Sequence, residues 1–149
     1  MVLEAFVTIV HSPTHLTKFS AALPLTRICL LLLGDHPSSK IVCHILNLVG
    51  LAMRASSSFA RKFELVSGWT IFKVVIPPAW DADVQKLAFD VLMGRNVILD
   101  RRSGHQNDSM AVNCPQILPV ILTALGTLSI SAHLNEQDLT STTSGESFE

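Results

Sequence analysis

The residues able to do chemistry in this 149-residue chain are few and scattered. Six histidines occur, at 11, 15, 36, 44, 105 and 133, and three cysteines, Cys29, Cys43 and Cys114. His36, Cys43 and His44 form the nearest group of metal-ligand types, and a zinc site needs such ligands to converge. Cys43 and His44 are adjacent, so on a helix they point about 100° apart. A helix-face histidine and a core thiol account for them. Asp81, Asp83 and Asp90 have the side chains of paired acids. Asp81 stands where a helix N-cap belongs, Asp83 suits the first turn, and Asp90 suits a solvated face. No G-x-S-x-G, H-E-x-x-H, P-loop or dinucleotide fingerprint is present. No catalytic, cofactor-binding or metal residue is assigned, no cofactor is expected, and the chain reads as a non-enzyme.

Three further groups have binding chemistry. Arg95, Arg101 and Arg102 suit phosphate or an anionic headgroup, but they fall in a polar loop where solvation explains them. Thr143 has Glu146 three residues on, a pattern that acidic-directed kinases favour and that arises often by chance. Trp69 and Trp80 are the candidate partner-binding residues. Large aromatic anchors concentrate binding energy, while Trp80 at a corner also suits a wedge between neighbouring helices.

Composition narrows the class. The chain is 48% hydrophobic and 15% charged, against about 25% charged in ordinary soluble domains. Its net charge of −1 gives no general attraction to nucleic acid. The absence of tyrosine and the presence of only two tryptophans argue against a base-stacking face. Three cysteines, two of them inside apolar runs, read as reduced thiols of a cytoplasmic protein. The opening MVLEAFVTIV has Glu4 where a secretory signal carries basic residues, so the sequon at Asn107 has no expected use.

Periodicity places these residues on helices. A weak helix or strand spans Val2–Val10. Leu16–Leu33 is apolar with Pro24 inside it, which breaks it into two pieces. Ser38 or Ser39 caps a helix from Lys40 to Arg54, with Ile41, Ile45, Leu48, Val49 and Ala52 on one face. Short helices follow at Phe59–Val66 and Trp69–Ile76. The β-branched content of the latter also suits a buried strand. Pro77-Pro78 ends it, and Asp81 caps a helix that Gly94 closes. Asn96–Asn113 reads as a loop and Gln116–Ser131 as the last helix. From Asn135 to Glu149 the composition is that of a disordered acidic, Ser/Thr-rich tail.

An internal echo organises the pattern. At an offset of 43, Ile41 falls on Val84, Ile45 on Ala88, Leu48 on Val91 and Val49 on Leu92, and Thr26–Leu33 falls on Trp69–Ile76. Helical repeats of the HEAT and armadillo type have periods of roughly 40–47 residues. Each unit has more apolar face than it can bury alone, and stacking buries the rest. The fold expected is all-α, an α-solenoid over residues 1–134 followed by the tail, 135–149.

Lys62-Phe63-Glu64-Leu65, Gly68-Trp69-Thr70-Ile71, Ile76-Pro-Pro-Ala-Trp-Asp81 and Ala88-Phe89-Asp90-Val91-Leu92-Met93-Gly94-Arg95 resemble the armadillo-like helical region upstream of the BEACH domain in large beige/neurobeachin-type proteins, the fungal ones in particular. The resemblance covers roughly Leu25–Arg95. It implies a cytoplasmic scaffold segment linked to vesicle trafficking or autophagy, peripheral to membranes, and a fragment without the BEACH, PH-like or WD40 parts. Protein partners or self-association through exposed apolar faces are the expected interactions, with no nucleic acid and with any membrane association indirect. Two other readings stand beside it. Met110–Asn135 is long and uncharged enough to span a membrane, which makes a small membrane protein with a span near residues 110–134. A small enzyme without a recognisable motif is the other.

Overall fold

Pro24 divides the first apolar run into α1 (Pro13–Ala22) and α2 (Leu25–Leu33). Leu23 N–H still reaches Phe19 O at 2.8 Å, and Pro24, lacking a donor, then resets the chain direction. Gly34 ends α2 at φ +57°, a conformation glycine adopts freely. The computed structural model describes residues 13–34, 36–94 and 113–142. The segment Val2–Val10, the arginines Arg95, Arg101 and Arg102, the sequon at Asn107 and the Thr143–Glu146 pair lie outside the described residues. Among the described residues every regular element is helical.

The caps follow from the sequence. The Ser38 hydroxyl accepts from Ile41 N–H at the start of α3 (Ser39–Ala55). Ser56 closes α3 with its N–H on Ala52 O at 3.0 Å, and its hydroxyl opens α4 (Ser57–Leu65) by accepting from Phe59 N–H at 3.2 Å. Ser67, at φ +56°, turns the chain into α5 (Gly68–Val75). The β-branched residues of that stretch do not make a strand. Gly68, Phe72 and Ile76 are buried at four-residue spacing, so a helical face has a core to enter and overrides local propensity. A 3-10 turn at Pro77–Ala79 leads to α6 (Ala82–Leu92).

Asp81 caps α6 by accepting from Val84 N–H at 2.8 Å. That bond, followed by one from the Ser39 hydroxyl, holds its carboxyl below the ordinary range. A depressed carboxyl pKa stabilises the fold above the unfolded value of about 3.9, and the contribution is lost as pH falls through the folded value. Asp81→Ala is expected to lower stability by about 1 kcal/mol at neutral pH. Urea unfolding at pH 7 and pH 3 checks this: the gap between wild type and variant narrows on acidification, and Asp81→Asn stays close to wild type at pH 7.

The core is organised around α3, which packs against α1, α2, α4 and α6. Being flanked on several sides, it buries a broad face of Val42, Ile45, Leu46, Leu48, Val49, Leu51 and Ala52. Gly50 marks the close approach of α3 to α6, where a Cβ would meet Val91 Cγ2 at 2.9 Å. Phe63 is the centre of an aromatic cluster. Its ring stacks on Phe59 at 5.8 Å and meets Trp69 and Phe72 edge-on, both at 5.1 Å.

The offset of 43 recurs in the elements. Leu25 and Gly68 open α2 and α5, and Ser39 and Ala82 open α3 and α6. Ser38 and Asp81 are both side-chain N-caps. Cys29 and Phe72, Leu33 and Ile76, Ile45 and Ala88, Leu48 and Val91, and Val49 and Leu92 are buried pairs at the same offset. The recurrence includes a helix that the sequence pattern leaves out. α1 precedes α2 as α4 precedes α5, and Leu16 and Phe59, 43 residues apart, are both buried. One departure is Phe89, 39% exposed where Leu46 is buried.

The last helix corrects a boundary. A 3-10 turn at Pro115–Ile117 leads to α7, which runs Leu118–Thr142, past the expected end at Ser131 and through the first eight residues of the expected disordered tail. Between Gly126 and Thr142 no glycine or proline interrupts it, and Leu134, Glu136, Gln137 and Leu139 are good helix formers. A polar composition withholds a buried face from such a stretch; it does not oppose helical backbone.

Candidate functional site

Trp80 follows the Pro77–Ala79 turn and is 8% exposed, which places its indole in the core. Its Nε1–H is buried and finds no acceptor among the described residues. Trp69 is half-buried, edge-on to Phe63 and, at 5.7 Å, to Phe72. Both indoles are thus held by packing. Trp69 is partly open to solvent, and Trp80 hardly at all.

The histidine–cysteine group does not converge. Among the described residues no three His, Cys, Asp or Glu side chains come together as metal ligands. Cys29 is fully buried, and burial pushes its thiol up to about 12. Burial also raises Cys43, helped by the negative charges of Asp81 and Asp83. Cys114 is raised by burial, with backbone bonds from Ile117 and Gln116 opposing. These are protonated thiols at neutral pH, poor nucleophiles and poor ligands. Of the three acids, Asp81 caps a helix, Asp90 pairs with Lys86 at 3.2 Å one turn away, and Asp83 is exposed in the first turn.

A cleft of about 360 Å³ lies between the C-terminal ends of α3 and α6, lined by Gly50, Met53, Arg54, Val91, Gly94 and Asn113 together with Cys114. Arg54 donates to the Gly94 carbonyl, Asn113 Nδ2 to Met93 O at 3.0 Å, and Asn113 N–H to Leu92 O at 2.9 Å. Arg54 therefore caps the carbonyl end of a neighbouring helix. Its signal in the sequence is that Arg54 is the basic residue in the last turn of α3. The cleft's polar groups hold α6 and the start of the last helical segment together, and among the described residues they present no nucleophile paired with a base.

What the surface does present is apolar. Leu31 on α2 and Val74 on α5, at the 43-residue offset, are 80% and 71% exposed. Each lies two residues beyond a buried position (Cys29, Phe72), so each points nearly opposite to the core. On α7, Val120, Ile121 and Ala124 enter the core, together with Ile117 before it, whereas Leu118, Leu122, Leu125, Leu128, Ile130 and Leu134 are exposed. The stretch Pro115–Leu134 is long and apolar enough to cross a membrane, with mean hydropathy 1.8, and 22% of it is buried. No family model, curated protein or solved structure matches the chain.

Proposed function

We propose that the chain is a non-enzymatic protein-interaction scaffold segment built as a short α-solenoid of armadillo-like units. On its resemblance to the helical region of BEACH-type proteins, it belongs to a cytoplasmic assembly concerned with vesicle trafficking or autophagy. The observation that supports this reading is the 43-residue recurrence of helix starts, side-chain caps and buried positions. Two units related in this way stack their second helices, α2 on α5, and their third helices, α3 on α6, and both pairs are in contact. Stacked units present repeated outer ridges, and Leu31 and Val74 occupy the same place on successive ridges. Extended repeated surface is what such arrays use to bind.

Affinity purification of the tagged full chain from its own cells, wild type against Leu31→Glu with Val74→Glu, tests this. Protein partners held in fixed proportion by the wild type and lost from the variant are the expected result. A chain that purifies with no protein partner overturns it.

A second reading has one observation in its favour, the apolar Pro115–Leu134 helix. Carbonate extraction separates the two. Release into the soluble fraction follows from the scaffold reading, retention from a membrane span.

A further inference from the structure

Helices α2, α4 and α5 share one spacing. Buried residues recur every four positions, at Leu25, Cys29 and Leu33 on α2, at Phe59 and Phe63 on α4, and at Gly68, Phe72 and Ile76 on α5. A residue midway between two of these is turned about 200° from each, so it crests an outward ridge. On α2 the crest carries Arg27 and then Leu31; on α4 it carries Arg61 and then Leu65. On α5 the crest is Thr70 and Val74, with Lys73 beside the valine. On α1, Lys18 stands two residues past buried Leu16, at the 43-residue offset from Arg61. A cation followed one turn later by an outward leucine is thus shared by α2 and α4. We infer that these ridges are a docking surface for an anionic lipid bilayer. This deepens the interaction reading above and rests on its stacked layers: the bilayer is the surface on which the array meets its partners.

A bilayer fits on three counts. The first is charge. The four helices carry Lys18, Arg27, Arg61, Lys62 and Lys73, all exposed, against one acid, Glu64. None of the five cations is in an ion pair among the described residues. The net charge of −1 hides a separation along the chain. Residues 5–63 contain six Lys or Arg and one acid, whereas residues 64–149 contain five Lys or Arg and ten acids. Anionic leaflets attract such clusters of Lys and Arg within a Debye length.

The second is the form of the apolar side chains. Leu31, Leu65 and Val74 are 80%, 77% and 71% exposed, more than any other large hydrophobic residue described. Side chains this free stand clear of their neighbours and line no groove. A protein would have to supply a pocket for each. The headgroup boundary of a bilayer takes protruding leucines between its lipids, with Lys and Arg alongside. The third is adjacency. α2 touches α4 and α5, and α4 touches α5, so the crests stand on neighbouring helices, about 8–10 Å apart. Asp81, Asp83 and Asp90 belong to α6 and its cap, and α6 packs on α3 instead.

Flotation of the purified full chain with vesicles tests the docking. Phosphatidylcholine vesicles containing phosphatidylserine are expected to carry the chain at low salt and release it at high salt. Phosphatidylcholine alone carries little. Arg27→Gln with Arg61→Gln is expected to weaken binding about thirtyfold, the effect of removing two cations from an anionic surface, and to flatten the salt dependence. Leu31→Ser with Leu65→Ser weakens it by about tenfold or more and leaves the salt dependence unchanged. All four positions are exposed, so circular dichroism of the variants matches wild type. Lys86→Gln, which removes a cation outside the ridges, leaves binding unchanged. A wild type that does not float with phosphatidylserine overturns the docking. So does either double variant floating like wild type. Equal binding to phosphatidylcholine alone overturns it as well, and assigns the membrane contact to the apolar α7. A chain that ignores vesicles yet recovers protein partners sinks the docking and leaves the scaffold reading standing, with an acidic protein as the occupant of the ridges. Vesicle binding by a chain that recovers no protein partner sinks the scaffold reading and leaves the docking.

Discussion

Phe63→Ala is expected to lower the free energy of unfolding by about 3–5 kcal/mol, the range for deleting a fully buried aromatic ring. Phe63 has 0% exposure and contacts three other rings. Its removal leaves a void bounded by Phe59, Phe72 and Trp69, which sit on α4 and α5 and cannot all move inward. Edge-to-face pairs also add about 0.5–1.5 kcal/mol each beyond area burial. Against a typical total stability of about 5–15 kcal/mol, the loss removes a large share of the net stability. The site is constrained from the other side as well. A Cβ on Gly68 would lie 2.4 Å from the Phe63 ring, so Gly68→Ala is destabilising in the wild type by about 1–3 kcal/mol. In the Phe63→Leu background that penalty shrinks, because the clashing atoms are gone. Urea unfolding of Phe63→Ala measures the loss, and that of Phe63→Leu, Gly68→Ala and their double variant measures the coupling.

Trp80→Ala is expected to cost a similar amount, about 3–5 kcal/mol, if the indole is a wedge in the core. Trp80→Phe separates the wedge from the anchor. Phenylalanine keeps most of the apolar volume and deletes a buried N–H that finds no acceptor among the described residues. An unmet buried donor costs about 1–3 kcal/mol, which offsets the lost ring atoms, so Trp80→Phe is expected within about 1 kcal/mol of wild type. A residue kept for partner binding behaves differently. Its alanine variant would unfold like wild type and lose only the partner.

Much of the fold was legible because its determinants are local. Ser38, Ser56 and Asp81 are side chains that cap, Pro24 and Pro77-Pro78 interrupt, and Gly34 and Gly94 take positive φ where helices close. These act within a few residues, so their placement follows from their order. The leading helix of each unit was harder. α1 and α4 share one buried apolar pair, Leu16 and Phe59, and little else at the offset, because Phe63 falls where the first unit has Ser20. The candidate site was the least legible part. Trp80 at a Pro-rich corner has the same sequence signature whether it faces a partner or the core, and only the packing around it decides. The role of Arg54 depends on Gly94, 40 residues away, a relation with no local signature. The end of α7 has no such local marker: no glycine or proline follows Gly126 before Thr142, and the helix runs on past Ser131.

The central claim is that positions 43 apart occupy equivalent places in successive layers. Spin labels introduced pairwise at Leu31 with Val74, and at Lys40 with Asp83, test it by pulsed electron resonance, with Cys43→Ser removing the half-buried native thiol. Neighbouring packed helices lie about 8–10 Å apart. Both pairs are therefore predicted to report the same short separation, one helical layer broadened by the labels. A long distance for either pair, or two clearly different distances, would contradict the stacked repeat.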